Sequence, residues 1–418
     1  MRGKMPGDEL RLGPFIGGLN TGSDPTAIAD AELAECLNFE LDIDGSLISR
    51  PPLKEIAGAG SFTQRIIFLC EATFTGTTYL IASNVDGVYH YRADTNAWTL
   101  ITSSFQAAAA VQYADKVYLV SKPGSGNGGK WDPSGGFTAV AAIPKGQAAV
   151  ILKERLFIVP GVDSTTNSSR LSFSDVGNLD SWPGTNFIDV GQGDGTKLID
   201  ITVFQNNLLL FKNQATYSFA YDTNPAEATL IRISNTIGVD KQFNMVNYEN
   251  QVYIFHNGWV YELVGYDFNR LNTKVPFIRD DTAPSSFAAE NVFVSTLEDR
   301  LVCRFYRNIY VFGLRTRTWS EWESVENNLH YFGPILTIHP ETGNRYFAGS
   351  CLTANESIIE CYDKHAVGNK EQTIADTSVL ITCSAKTKNF DLAISHKFKR
   401  LFWWGADVLT GKDVAGSI

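Results

Sequence analysis

Residues 88–98 read Val88-Tyr89-His90-Tyr91-Arg92-Ala93-Asp94-Thr95-Asn96-Ala97-Trp98, and residues 309–319 read Ile309-Tyr310-Val311-Phe312-Gly313-Leu314-Arg315-Thr316-Arg317-Thr318-Trp319. In both, four β-prone residues are followed at the same offsets by a threonine and then a tryptophan. A strand that buries one face through alternate residues, a polar turn, and a large aromatic packing between neighbouring sheets would require that order. Weaker copies lie at Gly258-Trp259-Val260-Tyr261 and Ile358-Ile359-Glu360-Cys361-Tyr362.

Working outward, a longer unit recurs: an apolar strand, a short polar turn, a second apolar strand. The turns centre on Gly76, Asp115, Glu154, Asn206, Asn250, Asp299 and Gly343, with spacings of 39, 39, 52, 44, 49 and 44 residues. Four short strands with their turns need roughly 40–45 residues, the size of one propeller blade. The sequence therefore predicts an all-β protein, a β-propeller of about seven four-stranded blades over residues 61–375. Six and eight are the neighbouring counts, because the first and last units are the least regular.

The two ends depart from the repeat. Residues 1–60 are rich in Gly, Pro and Asp and read as an extended N-terminal arm that wraps the propeller or a neighbour. The arm has one helical candidate, Asp30 to Asn38, capped by Asp30. Residues 376–418 read as a C-terminal β segment, with strands at Ser378–Ser384 and Lys397–Trp404. Its apolar Leu401-Phe402-Trp403-Trp404 asks for cover from the propeller or a neighbouring subunit.

A net charge of −10 argues against a general nucleic-acid binder, which needs a basic stripe to neutralise phosphates. Six cysteines (Cys36, Cys70, Cys303, Cys351, Cys361 and Cys383) form no CxxC pair and read as reduced, buried thiols. Met1 to Pro14 carries charges and no apolar core, so it does not read as a signal peptide. No stretch of 18 apolar residues occurs to span a membrane. Synthesis in a cytoplasm is expected.

Each motif that resembles chemistry has a plainer reading. Gly124-Ser125-Gly126-Asn127-Gly128-Gly129-Lys130 has P-loop spacing, but Trp131 stands where a Mg²⁺-binding hydroxyl belongs, and Asp132-Pro133-Ser134-Gly135-Gly136 cannot open a phosphate-holding helix. Asp42, Asp44 and Gly45 resemble the start of a calcium loop whose remainder is missing, so a β-turn is expected. Ser172 to Trp182 hints at the turn motif of sialidase propellers, with its spacing broken by adjacent Ser174 and Asp175. Histidines 90, 256, 330, 339, 365 and 396 are scattered, and no Gly-x-Ser-x-Gly elbow occurs. We expect no catalytic residue, no cofactor and no metal; a glycosidase-like carboxylate pair remains a matter for structure.

Several segments carry a resemblance. Gly17-Gly18-Leu19-Asn20-Thr21, Asp24-Pro25-Thr26-Ala27-Ile28, Asn38-Phe39 and Gly45-Ser46-Leu47-Ile48-Ser49-Arg50-Pro51-Pro52-Leu53 resemble the opening of tailed-bacteriophage virion proteins. Pro52 replaces the usual glycine. Arg155-Leu156-Phe157, Arg170 to Ser174, Gly177-Asn178, Ser181-Trp182, Asn186 to Gly191 and Gly193-Asp194-Gly195 resemble their middle, and Lys397 to Phe402 their end. The resemblance implies a propeller with added segments that serves as a tail nozzle, hub, tail tubular or minor tail protein.

From this we expect a structural, non-enzymatic component of the virion tail, present in the host cytoplasm during assembly. Its expected partners are other tail or connector proteins and copies of itself in a ring, with DNA as passing cargo. Short, protected blade edges suit dense packing, a long arm suits ordering on assembly, and acidic walls would keep DNA mobile. The alternatives are a receptor- or glycan-binding tail-tip propeller, using Trp259, Trp319 or Trp322, and a carbohydrate-active propeller enzyme.

Overall fold

The computed structural model describes residues 14–50, 53–55, 66–92, 97–160, 168–276, 293–297, 300–305 and 308–323, then 329–330, 337–338, 345–351, 357–362, 370–372, 378–380 and 383–387. Seven antiparallel sheets of four-stranded blade form follow one another along the chain. Blade 1 comprises Phe68–Phe74, Thr77–Asn84, Gly87–Arg92 and Ala97–Thr102; blade 2, Ala107–Tyr113, Lys116–Ser121, Gly129–Asp132 and Gly136–Ala139. Blade 3 comprises Ala148–Leu152, Arg155–Val159, Arg170–Phe173 and Phe187–Asp189; blade 4, Leu198–Phe204, Asn207–Lys212, Thr216–Ala220 and Thr229–Ser234. Blade 5 comprises Met245–Tyr248, Gln251–His256, Trp259–Val264 and Asp267–Arg270; blade 6, Phe293–Leu297, Arg300–Phe305, Asn308–Gly313 and Trp319–Glu323. In blade 7, Leu329–His330 and Thr337–Ile338 both pair with Arg345–Cys351, which pairs with Ser357–Tyr362. The expected all-β propeller of seven blades is what the chain forms.

On the described residues, the recurring polar turns are the hairpins between the first two strands of their blades. Five lie on described residues; those at Asp299 and Gly343 fall outside them. In four of the five both central residues take left-handed backbone angles: Thr75 and Gly76 (φ 48 and 82°), Lys153 and Glu154 (47 and 58°), Gln205 and Asn206 (47 and 62°), Glu249 and Asn250 (50 and 61°); in the fifth only Ala114 does (53°). A two-residue turn with both φ positive matches the twist of the strands it joins. The tryptophan repeat also has one structural meaning. Trp98 pairs across the last hairpin of blade 1 with Tyr91, ring centroids 5.3 Å apart, and Trp319 pairs in blade 6 with Phe312 at 4.9 Å.

First strands of successive blades lie side by side around the axis, and Thr337–Ile338 of blade 7 meets the first strand of blade 1. Apolar side chains fill the wedges between blades: Phe157, Phe173, Leu208, Leu210 and Phe219 join blades 3 and 4. Amide side chains close the polar seams at the axis. Gln112 of blade 2 takes the N–H of Thr73 in blade 1 and donates to its carbonyl. Gln147, just before blade 3, donates to Ile199 O of blade 4, and Asn247 of blade 5 donates to Val203 O of blade 4. A first strand has one edge with no β partner, and these amides supply partners to its backbone, at Ile199 in a buried position.

The expected helix over Asp30–Asn38 is not formed. Glu32–Leu37 is a strand, parallel to the outer strand of blade 6 on one side and antiparallel to Ser384–Thr387 on the other. Leu33 and Cys36, three apart as on a helix face, both reach the core because a register shift between Leu33 and Glu35 puts them on one side. Gly18–Leu19 extends the same sheet beside Glu32–Leu33. Farther along, Leu53–Glu55 pairs with Ser357–Tyr362 and supplies the outer strand of blade 7, closing the ring with residues from both ends of the chain. At the C-terminal side, Ser378–Leu380 and Ser384–Thr387 are separate strands, while Lys397–Trp404 lies outside the described residues.

Candidate functional site

A buried polar clasp holds the arm to blade 6. Asn38 has a left-handed φ of 57°, which asparagine tolerates better than most residues. Its Oδ1 accepts from Arg50 Nε at 2.9 Å and from the backbone N–H of Glu323 at 2.9 Å. The Asn38 N–H donates to Glu321 O (2.7 Å), Arg50 N–H donates back to Asn38 O (2.9 Å), and Arg50 Nη2 donates to Glu323 O (2.8 Å). Arg50 is only 1% exposed, and its guanidinium lies 5.8 Å from the Trp322 ring. Between Asn38 and Arg50, Phe39–Leu41 and Leu47–Ser49 form a hairpin whose turn is tied by Asp42 and Asp44. The calcium-like residues are thus a β-turn, as expected.

A second fastening lies at the start of the arm. Glu32, buried in its strand, accepts from Asn20 Nδ2 (2.8 Å) and Ala29 N–H (2.9 Å) and pairs with Lys274 at 2.6 Å. Burial opposes ionisation of this carboxyl, but the Lys274 and Asn20 hydrogen bonds outweigh it and hold it below the usual range. Glu40 pairs with Arg300 at 2.5 Å. Beneath both fastenings, Leu19, Leu33 and Cys36 pack with Tyr253, Phe255, Phe312 and Trp319 in the wedge between blades 5 and 6.

The middle segments of the resemblance build turns at blades 3 and 4. Asp175 accepts from Ser181 Oγ (2.6 Å) and Asn186 Nδ2 (3.0 Å), and Gly177 N–H donates to Glu154 O (2.9 Å). Lys212 is wholly buried; its ammonium donates to Val190 O, Gly191 O and both oxygens of Asp194, at 2.7–3.0 Å. Burial works against the Asp194 charge, yet Lys212 and Thr196 keep that carboxyl below its ordinary value. A lysine occupies the centre of the Gly191–Thr196 loop.

The other sequence candidates do not converge. Gly129–Asp132 is a strand, and Lys130 pairs with Asp180 rather than facing an open loop. His90 lies among the rings of Tyr79 and Trp131, while His256 sits 3.1 Å from Asp240. Histidines 339, 365 and 396 fall outside the described residues. Among the described residues no three His, Cys, Asp or Glu side chains are grouped to hold a metal, and no helix is long and apolar enough to cross a membrane. Burial pushes the Cys36 thiol up to about 12 and raises Cys70 and Cys303 as well, so these remain protonated at neutral pH. Trp319 and Trp322 are core residues, and Arg270 covers Trp259 at 3.9 Å.

No family model matches the sequence, and no curated protein matches it either. Among solved structures, the WD40 domain of Neurospora crassa Pan2 superposes with a TM-score of 0.50 at 7% identity, over 77% of this chain and 98% of that one. The extracellular domain of a one component system from B. thetaiotaomicron gives 0.49 at 9% identity, over 76% of this chain and 40% of that one. PorZ, a bacterial surface component of the type-IX secretion system of Porphyromonas gingivalis, gives 0.46 at 15% identity, over 77% and 40%. The chain thus spans about two fifths of the length of the last two. The likeness to the WD40 domain shows a shared propeller fold and nothing of function.

Proposed function

We propose that this protein is a non-catalytic structural subunit of a tailed-phage virion, a tail nozzle, hub or minor tail protein that assembles with other tail proteins beside the DNA path. The observation that carries the reading is where the resembling residues lie. Gly17–Asn20, Asn38, Gly45 and Arg50 belong to the arm and its clasp, and Asp175, Gly177, Asn186 and Asp194 belong to loop fastenings. The shared motif therefore has a physical content: it binds a peripheral arm to a propeller, a demand of construction rather than of catalysis. Supporting it, the arm strand covers the outer edge of blade 6, which would otherwise present unpaired backbone to other copies. Trp319 and Trp322 are buried and Arg270 lies over Trp259, which weighs against these three as a glycan platform.

Mass spectrometry of density-purified phage particles tests this. The chain should co-purify with the particle in fixed ratio to the known tail proteins and resist a high-salt wash. Recovery only in the soluble fraction of the lysate would exclude a virion role. Purified protein should also release no reducing sugar from host-wall polysaccharide.

A further inference from the structure

Among the described residues, the arm carries three large apolar side chains that water reaches. Ile16 is 59% exposed, Ile43 66% and Ile48 48%. They share one hairpin and the chain packed on its turn. Phe15 N–H donates to Gly45 O (3.1 Å), and a Cβ on Gly45 would sit 3.0 Å from Ile16 Cγ2, so Ile16 lies against the turn that carries Ile43. Ile48 stands opposite Glu40, on the face of the hairpin away from Phe39, Leu41 and Leu47, which pack on the core. Asp42 and Asp44, both exposed, flank Ile43. This end of the arm is therefore apolar with a negative rim.

The C-terminal side of the chain is brought to this patch. Ser384–Thr387 runs antiparallel to Glu32–Leu37, with Thr387 opposite Leu33. Leu33 is in turn opposite Leu19, so at about 4.8 Å per strand Thr387 lies roughly 10 Å from Leu19. The strand points towards Ala31, whose carbonyl accepts the N–H of Gly17, the neighbour of Ile16 (2.8 Å). Thirteen residues, 388–400, separate Thr387 from Leu401-Phe402-Trp403-Trp404. Fully extended, such a length reaches about 45 Å, well beyond the separation to be covered. Lys397, Lys399 and Arg400 stand just before the apolar run.

We propose that Leu401-Phe402-Trp403-Trp404 docks on the Ile16, Ile43 and Ile48 patch of its own chain's arm, with Lys397, Lys399 and Arg400 beside Asp42 and Asp44. The match is of two kinds. Four bulky apolar side chains meet three exposed isoleucines, and three cations meet the two carboxylates that flank Ile43. A tether of this length holds the run at roughly millimolar effective concentration, which favours a chain's own tail over that of another copy at micromolar protein. The docking holds whatever assembly the protein joins.

Photo-cross-linking of the full chain at micromolar concentration tests this, with Ile43 replaced by the photoreactive benzoylphenylalanine. Peptide mapping should find the main product on residues 401–404, in a species of monomer mass. Ile16→Asp with Ile48→Asp should lower its yield about tenfold by removing the apolar contact. Asp42→Asn with Asp44→Asn keeps the oxygens that accept from the Ile43 and Ser46 N–H groups and removes the charge. This pair should lower the yield about threefold in dilute buffer and leave it unchanged in about 1 M salt. All the substituted side chains are exposed, so far-UV circular dichroism should match wild type in each variant. Cross-links at dimer mass would assign the patch to another copy, and cross-links that avoid 401–404 would assign it to a different segment; either overturns the proposal. A yield indifferent to either pair of substitutions overturns it too.

Discussion

Asn38 holds a position that few side chains could fill. The backbone is left-handed, and one oxygen must accept from both a guanidinium and a backbone amide. Asn38→Ala would strain the backbone and leave two buried donors without an acceptor. We expect a loss of about 3 kcal/mol, read as a lower urea midpoint at unchanged slope. Asn38→Asp keeps both acceptances and faces Arg50 with a charge, so it should cost less than about 1 kcal/mol. Equal losses in the two variants would show that the clasp is not what the side chain provides. In the sequence, Asn38 and Arg50 stood out only through a family resemblance; twelve residues apart, with the hairpin unknown, no spacing rule joins them. Lys212 was less legible still: at the end of Leu208-Leu209-Leu210-Phe211 it looks like the solvated end of a strand, and only the returning Gly191–Thr196 loop explains its burial.

At the scale of the element, hairpins were the most legible feature, because strand alternation and a polar break are both local. Their left-handed central residues are mostly not glycine, which leaves stability to be gained. Gln205→Asn with Asn206→Gly suits the Gln205–Asn206 turn, whose side chains are exposed. The pair should stabilise by about 1 kcal/mol, visible as a higher Tm. The arm strand was misread for a reason that is equally local: a bulge lets Leu33 and Cys36 share a face at helical spacing, and the pairing partners lie at residues 321 and 384–387. That arm also has its own pH dependence. Glu32 is held below its unfolded value of about 4.3, so its contribution is present above that pH and is lost as pH falls through the lower folded value. Proteolysis within residues 20–31 should rise below pH about 4 in wild type. Glu32→Gln, without that titration, should show no such acid step; an acid step of the same size would assign the effect to another group.

Across the whole molecule, the period of some forty residues announced the ring, and its closure did not show. Closure depends on Leu53–Glu55 completing blade 7 some 300 residues away, a pairing with no local mark in the sequence. The same holds for the axis, where Gln242, from the segment between blades 4 and 5, donates to Ala108 O of blade 2 and to Gln147 O beside blade 3. On the proposed function, a side chain reaching across the axis sets the DNA path beside the propeller, between subunits. Cryo-electron microscopy of the purified particle, at a resolution that separates strands, tests the account most directly. It should show this chain in the tail as a seven-bladed ring, with its own arm clasped on blade 6 and its axis set apart from the DNA channel. A particle without the chain, or DNA threaded through the propeller itself, would contradict it.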